Sequence, residues 1–217
     1  MMSQSTYPSG PWHDQLAAGA AALGLSLDVP QQQQMLDFIL LLHQWNQLFN
    51  LTGVKEPGEM ITRHLLDSLT LLPLLQGRRV LDLGTGAGLP GIPLAIASPS
   101  HEFTLLDSHQ KKQRFVSQVI TDLGLPNVRV ATIRAEHYRP ESPFDTLVVR
   151  AFASLSGILS LSRPLLQART GLLIAMKGRY PKDEIEQVGK DWRIEGILPV
   201  WVPGMEAERH LVLLRTK

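Results

Sequence analysis

The sequence contains no cysteine among its 217 residues. That excludes a disulfide framework, thiolate-bound zinc or iron–sulfur sites, and a cysteine nucleophile. It also fits a reducing compartment, and a cytoplasmic location is expected. No apolar run reaches the roughly 18 residues that a membrane span needs. The first residues are polar up to Trp12, with no basic segment leading into an apolar one, so no signal peptide is expected. Charged residues make up 19% and hydrophobic residues 44%, enough for one sizeable core and too much for a disordered chain.

Net charge is nearly absent too, at +1, but its distribution is uneven. Residues 1–77 carry two Lys/Arg against six acids, and residues 78–182 carry fourteen against seven. Residues 183–217 carry five against seven. The basic middle points to an anionic partner, unless acids folded nearby balance it as ordinary surface charge.

Residues 1–11, with two prolines and several small polar residues, predict a disordered tail. Residues 12–77 read as an N-terminal helical cap of three helices. The first runs over residues 12–23 and stops at Gly24, and the second over residues 31–49 with Pro30 in its first turn. The Gln run at residues 31–34 reads as a solvated first turn, and a third helix is expected over residues 57–75. From residue 78 the pattern changes. Short apolar strands (RRVLDLG, EFTLLD, VRVATI, FDTLVVR, GLLIAMKG) alternate with helices, the last near residues 182–190. This predicts an α/β core over residues 78–217, a mostly parallel sheet with helices on both faces. Strand candidates at residues 193–201 and 210–215, separated only by a Pro/Gly turn region, predict an antiparallel hairpin at the sheet edge.

The segment VLDLGTGAGLPGIPLA carries the chemistry. A strand ends at Gly84, and Gly86, Gly88 and Gly91 follow before a helix. Glycines let the backbone turn at positive φ and let a ligand approach the main chain, as a nucleotide-type cofactor requires. Two cofactors remain open at this point. Gly86, Gly88 and Gly91 match the dinucleotide fingerprint, and Asp107 follows about 20 residues on, which admits a nicotinamide-dependent oxidoreductase. Against it, Asp82 lies inside the strand, and the strand has ended before the match begins. The frame apolar-Asp-apolar-Gly-x-Gly-x-Gly instead resembles motif I of class I S-adenosylmethionine (SAM) methyltransferases, whose Rossmann-like sheet has an antiparallel last strand. In that family the acid before the glycines helps hold the cofactor's amino-acid end through water or backbone. The acid ending the second strand, here Asp107, accepts from the ribose hydroxyls.

A narrower resemblance lies outside the loop. NLTGV (residues 50–54), RHLLDSL (63–69), GLPGIPLA (88–95), LLDS (105–108), RAFASL (150–155), MKG (176–178) and ERHLVLL (208–214) occur in that order. Together they resemble the bacterial RsmG family, also called glucose-inhibited division protein B, across nearly the whole chain. That family transfers methyl from SAM to N7 of a guanine in the decoding-region loop of 16S rRNA. The resemblance implies that Asp82, Gly84, Thr85, Gly86 and Leu89 hold the methionine and sulfonium end, and that Asp107 takes the ribose. It implies that Ala135 and Glu136 meet the adenine and that Arg150 lines the pocket near the reacting methyl. Lys177 and Arg179, with Gly178, would lie on a rim facing RNA, and Arg63 and His64 would contact rRNA at the cofactor mouth. Ala87 stands where the family commonly has Pro. The implied partner is 16S rRNA, the small ribosomal subunit or its assembly precursor, and a monomer is expected.

Several of these residues carry a second, structural reading. Arg150 would bind cofactor or the guanine edge, or else pair an acid such as Asp82 at the strand ends. In the first reading it positions the reactants and is no catalytic acid, since Arg stays protonated. Arg63, His64 and Asp67 share one helical face, and Asp67 would pair Arg63 across a turn, with His64 contacting rRNA or packing between helix and sheet. A metal site is not expected there, because a lone His-x-x-Asp lacks further ligands. Lys111, Lys112 and Arg114 open one helix, and Lys112 reads as solvated. Aromatics are only 6% of the chain, so recognition by shape and phosphates, with one base unstacked, is expected. Phe152 would either stack on that base or lie in the core.

Overall fold

The protein is described here by a computed structural model, which covers residues 10–150 and 154–217. Phe152 therefore lies outside the described residues. Helix α1 (Pro11–Ala22) begins on a proline, which suits a first turn that lacks hydrogen-bond acceptors for its N–H groups. Gly24, at φ +72°, lets the chain leave it. Helix α2 (Val29–Phe49) starts two residues earlier than its apolar pattern predicts, because Asp28 and Gln31 form a reciprocal capping box.

The glutamines of α2 correct the expectation of a solvated turn. Gln31 Nε2 donates to the carbonyls of Ile96 and Ala97 (3.0 and 3.2 Å), and Gln34 Nε2 to that of Leu123 (2.9 Å). Those carbonyls end two sheet-packed helices, α5 (Gly91–Ala97) and α6 (Gln110–Leu123). Helix C-termini leave their last carbonyls without intrahelical partners. The run therefore closes helix ends that would otherwise be orphaned.

The expected third helix over residues 57–75 is three pieces. They are α3 (Pro57–Met60), a π-helical turn (Ile61–Leu66) and α4 (Asp67–Leu69). A 3₁₀ turn (Leu72–Leu74) around Pro73 follows, because proline cannot continue an α-helical ladder. The wide turn changes which side chains share a face, with consequences for the site.

Among the described residues seven strands form one sheet in the order β3-β2-β1-β4-β5-β7-β6. They are β1 (Arg79–Leu83), β2 (Glu102–Leu106), β3 (Val128–Ala131), β4 (Thr146–Arg150), β5 (Leu172–Lys177), β6 (Trp192–Pro199) and β7 (His210–Thr216). The first five run parallel, and β7 is antiparallel to both β5 and β6. The hairpin read from the sequence is present, with its second strand inside the sheet and its first at the edge. Two shorter helices, α7 (Leu155–Ser162) and α8 (Lys182–Glu186), complete the chain, and α8 stops four residues short of the expected end.

Strand alternation divides the core. Leu81, Leu83, Leu147, Val149, Leu173 and Ala175 face α7. Val80, Leu105, Val148 and Ile174 face the other way and share one core with α1, α2, α5 and α6. There the Phe115 ring meets Phe38 at 6.3 Å and Trp45 at 5.5 Å.

Gln31→Ala removes two bonds to α5 and half of the capping box, and is expected to lower unfolding free energy by about 1–3 kcal/mol in urea titrations. Gln33→Ala, whose side chain bonds only Asp37 on the same helix, is expected to change it by less than about 0.5 kcal/mol.

Candidate functional site

The site forms at the C-terminal ends of the parallel strands, where an open α/β sheet leaves a crevice. Between β1 and α5 the loop places Gly84, Gly86 and Gly88 at φ +75°, +58° and +82°. These are conformations that a Cβ disfavours. The N–H groups of Gly84 and Thr85 donate to Leu106 O (2.8 and 3.1 Å), and that of Gly86 donates to Asp107 Oδ2 (2.9 Å). The loop is thereby stitched to the end of β2.

Asp82 holds the loop from beneath. It is fully buried, and its Oδ2 accepts from Thr85 Oγ1 (2.7 Å) and from the Gly91 N–H (2.8 Å). A Cβ on Gly91 would lie 2.8 Å from that oxygen and 2.1 Å from Leu105 Cδ2. Glycine is thus required at residue 91 by packing. Gly86 differs. Its nearest neighbours from a Cβ position are Lys112 Nζ at 3.9 Å and Gly84 O at 4.0 Å. The backbone at Gly86 is half-buried, and a Cβ there would make only ordinary contacts, so the main chain can be approached closely. Lys112 is half-buried with its amine above this loop, which corrects its reading as a solvated residue.

Asp107, at the end of β2, keeps 10% of its side chain exposed. Its Oδ1 accepts from the His109 N–H (2.9 Å) and faces His109 Nδ1 at 2.8 Å. Leu89 is buried in the loop, and Ala135 is buried in a 3₁₀ turn after β3 with Glu136 exposed beside it. Asp82 and Thr85 lie under the loop rather than on its surface, so any effect they have on a ligand passes through the loop they hold.

A second part of the site is a cavity of about 400 Å³ beside the ends of β4 and β5. Its charged lining is Arg63, Asp67, Arg150, Lys177 and Arg209, four cations and one carboxylate. Val54, Val149, Ile158 and Met176 supply apolar wall. Asp67, with 3% of its side chain exposed, accepts from Arg150 Nη1 (3.2 Å) and from Arg209 Nε (2.9 Å). Two pairings that the sequence left open as alternatives are settled differently. Arg150 pairs Asp67 and not Asp82, and Asp67 does not pair Arg63, which approaches Glu59 at 3.7 Å. The π turn is the reason. It rotates Asp67 inward and leaves the Arg63 carbonyl to accept from Arg150 Nη1 (3.2 Å).

His64 is buried in the wall. Its Nε2 lies 2.8 Å from Thr52 Oγ1 and its Nδ1 2.9 Å from the Arg63 carbonyl. A carbonyl can only accept, so Nδ1 carries the hydrogen and donates to Arg63 O, while Nε2 accepts from the Thr52 hydroxyl. Burial, then the nearby Arg150 charge, push the imidazole down to about 4, so it is neutral at neutral pH. At the end of β5, Lys177 Nζ pairs both Glu184 oxygens (3.0 and 2.8 Å). Glu184 also accepts from the Leu155 N–H at the start of α7. Burial works to raise the Glu184 carboxyl, but Lys177 and that N–H outweigh it and hold it below its ordinary value. Arg179 is exposed beyond Gly178.

The sequence reading missed Arg209, Thr52 and the inward role of Asp67. Arg209 is 142 residues from its partner, a separation that no local pattern reports. Among the described residues no group of three His, Asp or Glu is placed to hold a metal, and no helix is long and apolar enough to cross a membrane.

The strand order, the antiparallel β7 and the glycine loop after β1 define the class I methyltransferase fold. Its solved examples include the O-methyltransferase TomG from Streptomyces achromogenes (TM-score 0.59, 15% identity, 96% of this chain and 99% of that one). The glycopeptide N-methyltransferase MtfA is another (TM-score 0.61, 11% identity, 75% and 100%). Within that class, residues 31–212 match the family model GidB, rRNA small subunit methyltransferase G, and the chain belongs to this family. Similar relatives carry the name ribosomal RNA small subunit methyltransferase G. The Nitrosococcus oceani protein is 48% identical over 93% of this chain and 94% of its own length, and that of Pseudomonas aeruginosa 47% over 93% and 94%.

Burial raises the Asp82 carboxyl to about 7, against the lowering effect of its Thr85 and Gly91 bonds. The folded protein therefore keeps a proton that the unfolded chain releases near pH 4, and this group's contribution to stability falls as pH rises from about 4 to 7, then levels. Urea titrations of the wild type and Asp82→Asn at pH 5 to 8 are expected to show their stability difference moving against the wild type up to pH 7. The slope is at most about 1.4 kcal/mol per pH unit, with no change above pH 7.

Proposed function

We propose that this protein transfers the methyl group of SAM to N7 of a guanine in the decoding-region loop of 16S rRNA. The observation that carries the reading is the pairing of two features at one sheet edge. One is a glycine loop at positive φ whose backbone at Gly86 is half-buried with no close neighbour beyond ordinary contact. The other is the adjoining cationic cavity around Arg150 and Asp67. Membership of the GidB family supports an rRNA acceptor, and solved class I methyltransferases bind SAM or its product at this fold, as the TomG complex does. The nicotinamide alternative is set aside with that membership.

The residues fit the cofactor. Gly84, Gly86 and Leu89 would receive its amino-acid end, Asp107 the ribose hydroxyls, and Ala135 and Glu136 the adenine. When bound, SAM supplies a methyl carbon already activated by the sulfonium charge. The chain's own task is alignment. Guanine N7 carries a free lone pair, so no side chain needs to remove a proton. That suits a cavity whose imidazole, His64, is neutral and engaged on both nitrogens. The Asp67 carboxylate orients the Arg150 guanidinium, which presents its remaining N–H groups as donors suited to guanine O6. Apolar wall residues exclude water beside them. Arg63, Lys177 and Arg179 face the acceptor with positive charge, complementary to phosphate.

Incubation with labelled SAM and small subunits lacking the modification, followed by digestion to nucleosides, is expected to place label in 7-methylguanosine at a single rRNA site. Label in another nucleoside would overturn the N7 assignment, and no label despite SAM binding would overturn the acceptor. Asp107→Ala, which loses about two charge-assisted hydrogen bonds, is expected to weaken SAM binding by a few kcal/mol at most. Calorimetry that finds unchanged affinity would remove Asp107 from the ribose site.

A further inference from the structure

The hairpin loop between β6 and β7 carries a feature that neither the cofactor loop nor the cationic cavity uses. Three of the four tryptophans are packed, Trp12 and Trp45 against the larger core and Trp192 within the other. Trp201 is 64% exposed. Its exposure does not come from a loose loop. Val202 is 2% exposed, and Pro203 is buried beside it. The Val200 N–H donates to Arg209 O (2.8 Å), and a Cβ at Gly204 would sit 3.5 Å from Thr62 Oγ1 on the π turn. A large aromatic held outward on an anchored loop offers a preset contact face at low entropic cost.

Trp201 lines a groove of about 550 Å³ together with Tyr180, itself 53% exposed and in edge contact with His210 (5.7 Å, 84°). Arg209 lines both this groove and the cationic cavity, so the two share a wall. Arg179 precedes Tyr180 and is exposed. Glu206 and Glu208 on the loop disfavour a phosphate there, while Arg209 and Arg179 favour one on their side. What fits such a groove is a flat, uncharged aromatic face whose anionic backbone stays with the arginines.

We propose that this groove is a second base subsite, in which an unpaired nucleobase next to the methylated guanine stacks on Trp201 or Tyr180. This rests on the RNA reading of the cavity above. The aromatic stack holds the neighbouring nucleotide while Arg209 spans the two positions, so the target base is presented from a fixed strand. Stacking of this kind is tolerant of base identity. The subsite therefore governs how tightly unstacked RNA is held.

The test is tryptophan fluorescence titrated with a short single-stranded RNA of mixed sequence, on the full chain and on Trp201→Phe, Trp201→Ala and Tyr180→Ala. RNA is expected to quench the part of the emission that Trp201→Phe lacks. Trp201→Ala is expected to weaken RNA affinity about 5- to 150-fold, with Trp201→Phe close to wild type and SAM affinity by calorimetry unaltered in both. In parallel, KM for unmethylated small subunits is expected to rise in Trp201→Ala. Absence of quenching together with unchanged affinity overturns the subsite, even if subunits are methylated. Quenching with no methylation of subunits supports the subsite and overturns the proposed acceptor. A Trp201→Ala effect on intact subunits without any on free RNA overturns the subsite in favour of a ribosomal protein contact.

Discussion

The Asp67 carboxylate, sealed between Arg150 and Arg209, is the interaction on which the site depends. Each partner comes from a different part of the chain. Asp67 follows the π turn, Arg150 ends the parallel strand β4, and Arg209 leads into the antiparallel β7. A carboxylate this deeply buried is tolerable only with its charge answered, and the two guanidiniums answer it twice over. The excess positive charge is left facing the cavity. The same contact that docks the N-terminal helices on the sheet also gives the site its sign.

A second carboxylate works in the opposite way. Among the described residues Asp82 meets no cation within bonding distance and accepts only from a hydroxyl and a backbone N–H. Burial without a counter-charge favours its protonated form. Two aspartates in one protein thus take contrasting states. One is buried between two arginines, and the other, without a counter-charge, has its carboxyl pushed up by burial and braces the glycine loop.

Much of the fold was legible in the sequence, because strands and helices write their periods locally. The βα alternation from residue 78, the glycine loop and the terminal hairpin all depend on runs of a few residues. The π turn was not legible, since ITRHLL has the apolar spacing of an ordinary helix and its widening is compensated by Arg150, distant in sequence. The glutamines of α2 were misread because their acceptors are carbonyls on α5 and α6, which a sequence does not display. For the site, motif blocks marked Asp107, Arg150 and His64, whereas Arg209 was missed though it lay inside one of those blocks. Its function is defined only by a partner 142 residues away.

The strand order carries a consequence for how the molecule comes together. β6 touches β7 but not β5, so it has no place in the sheet until β7 is present. β6 reaches the sheet only through β7, whose docking on β5 closes contacts of large sequence separation at an entropic cost. Arg209 arrives only with that docking. A chain halted before it would hold its glycine loop and most of its core, yet lack the closed ion triad. Completion of the cationic cavity is thus tied to the docking of β7 and to a contact between residues 142 apart in the chain.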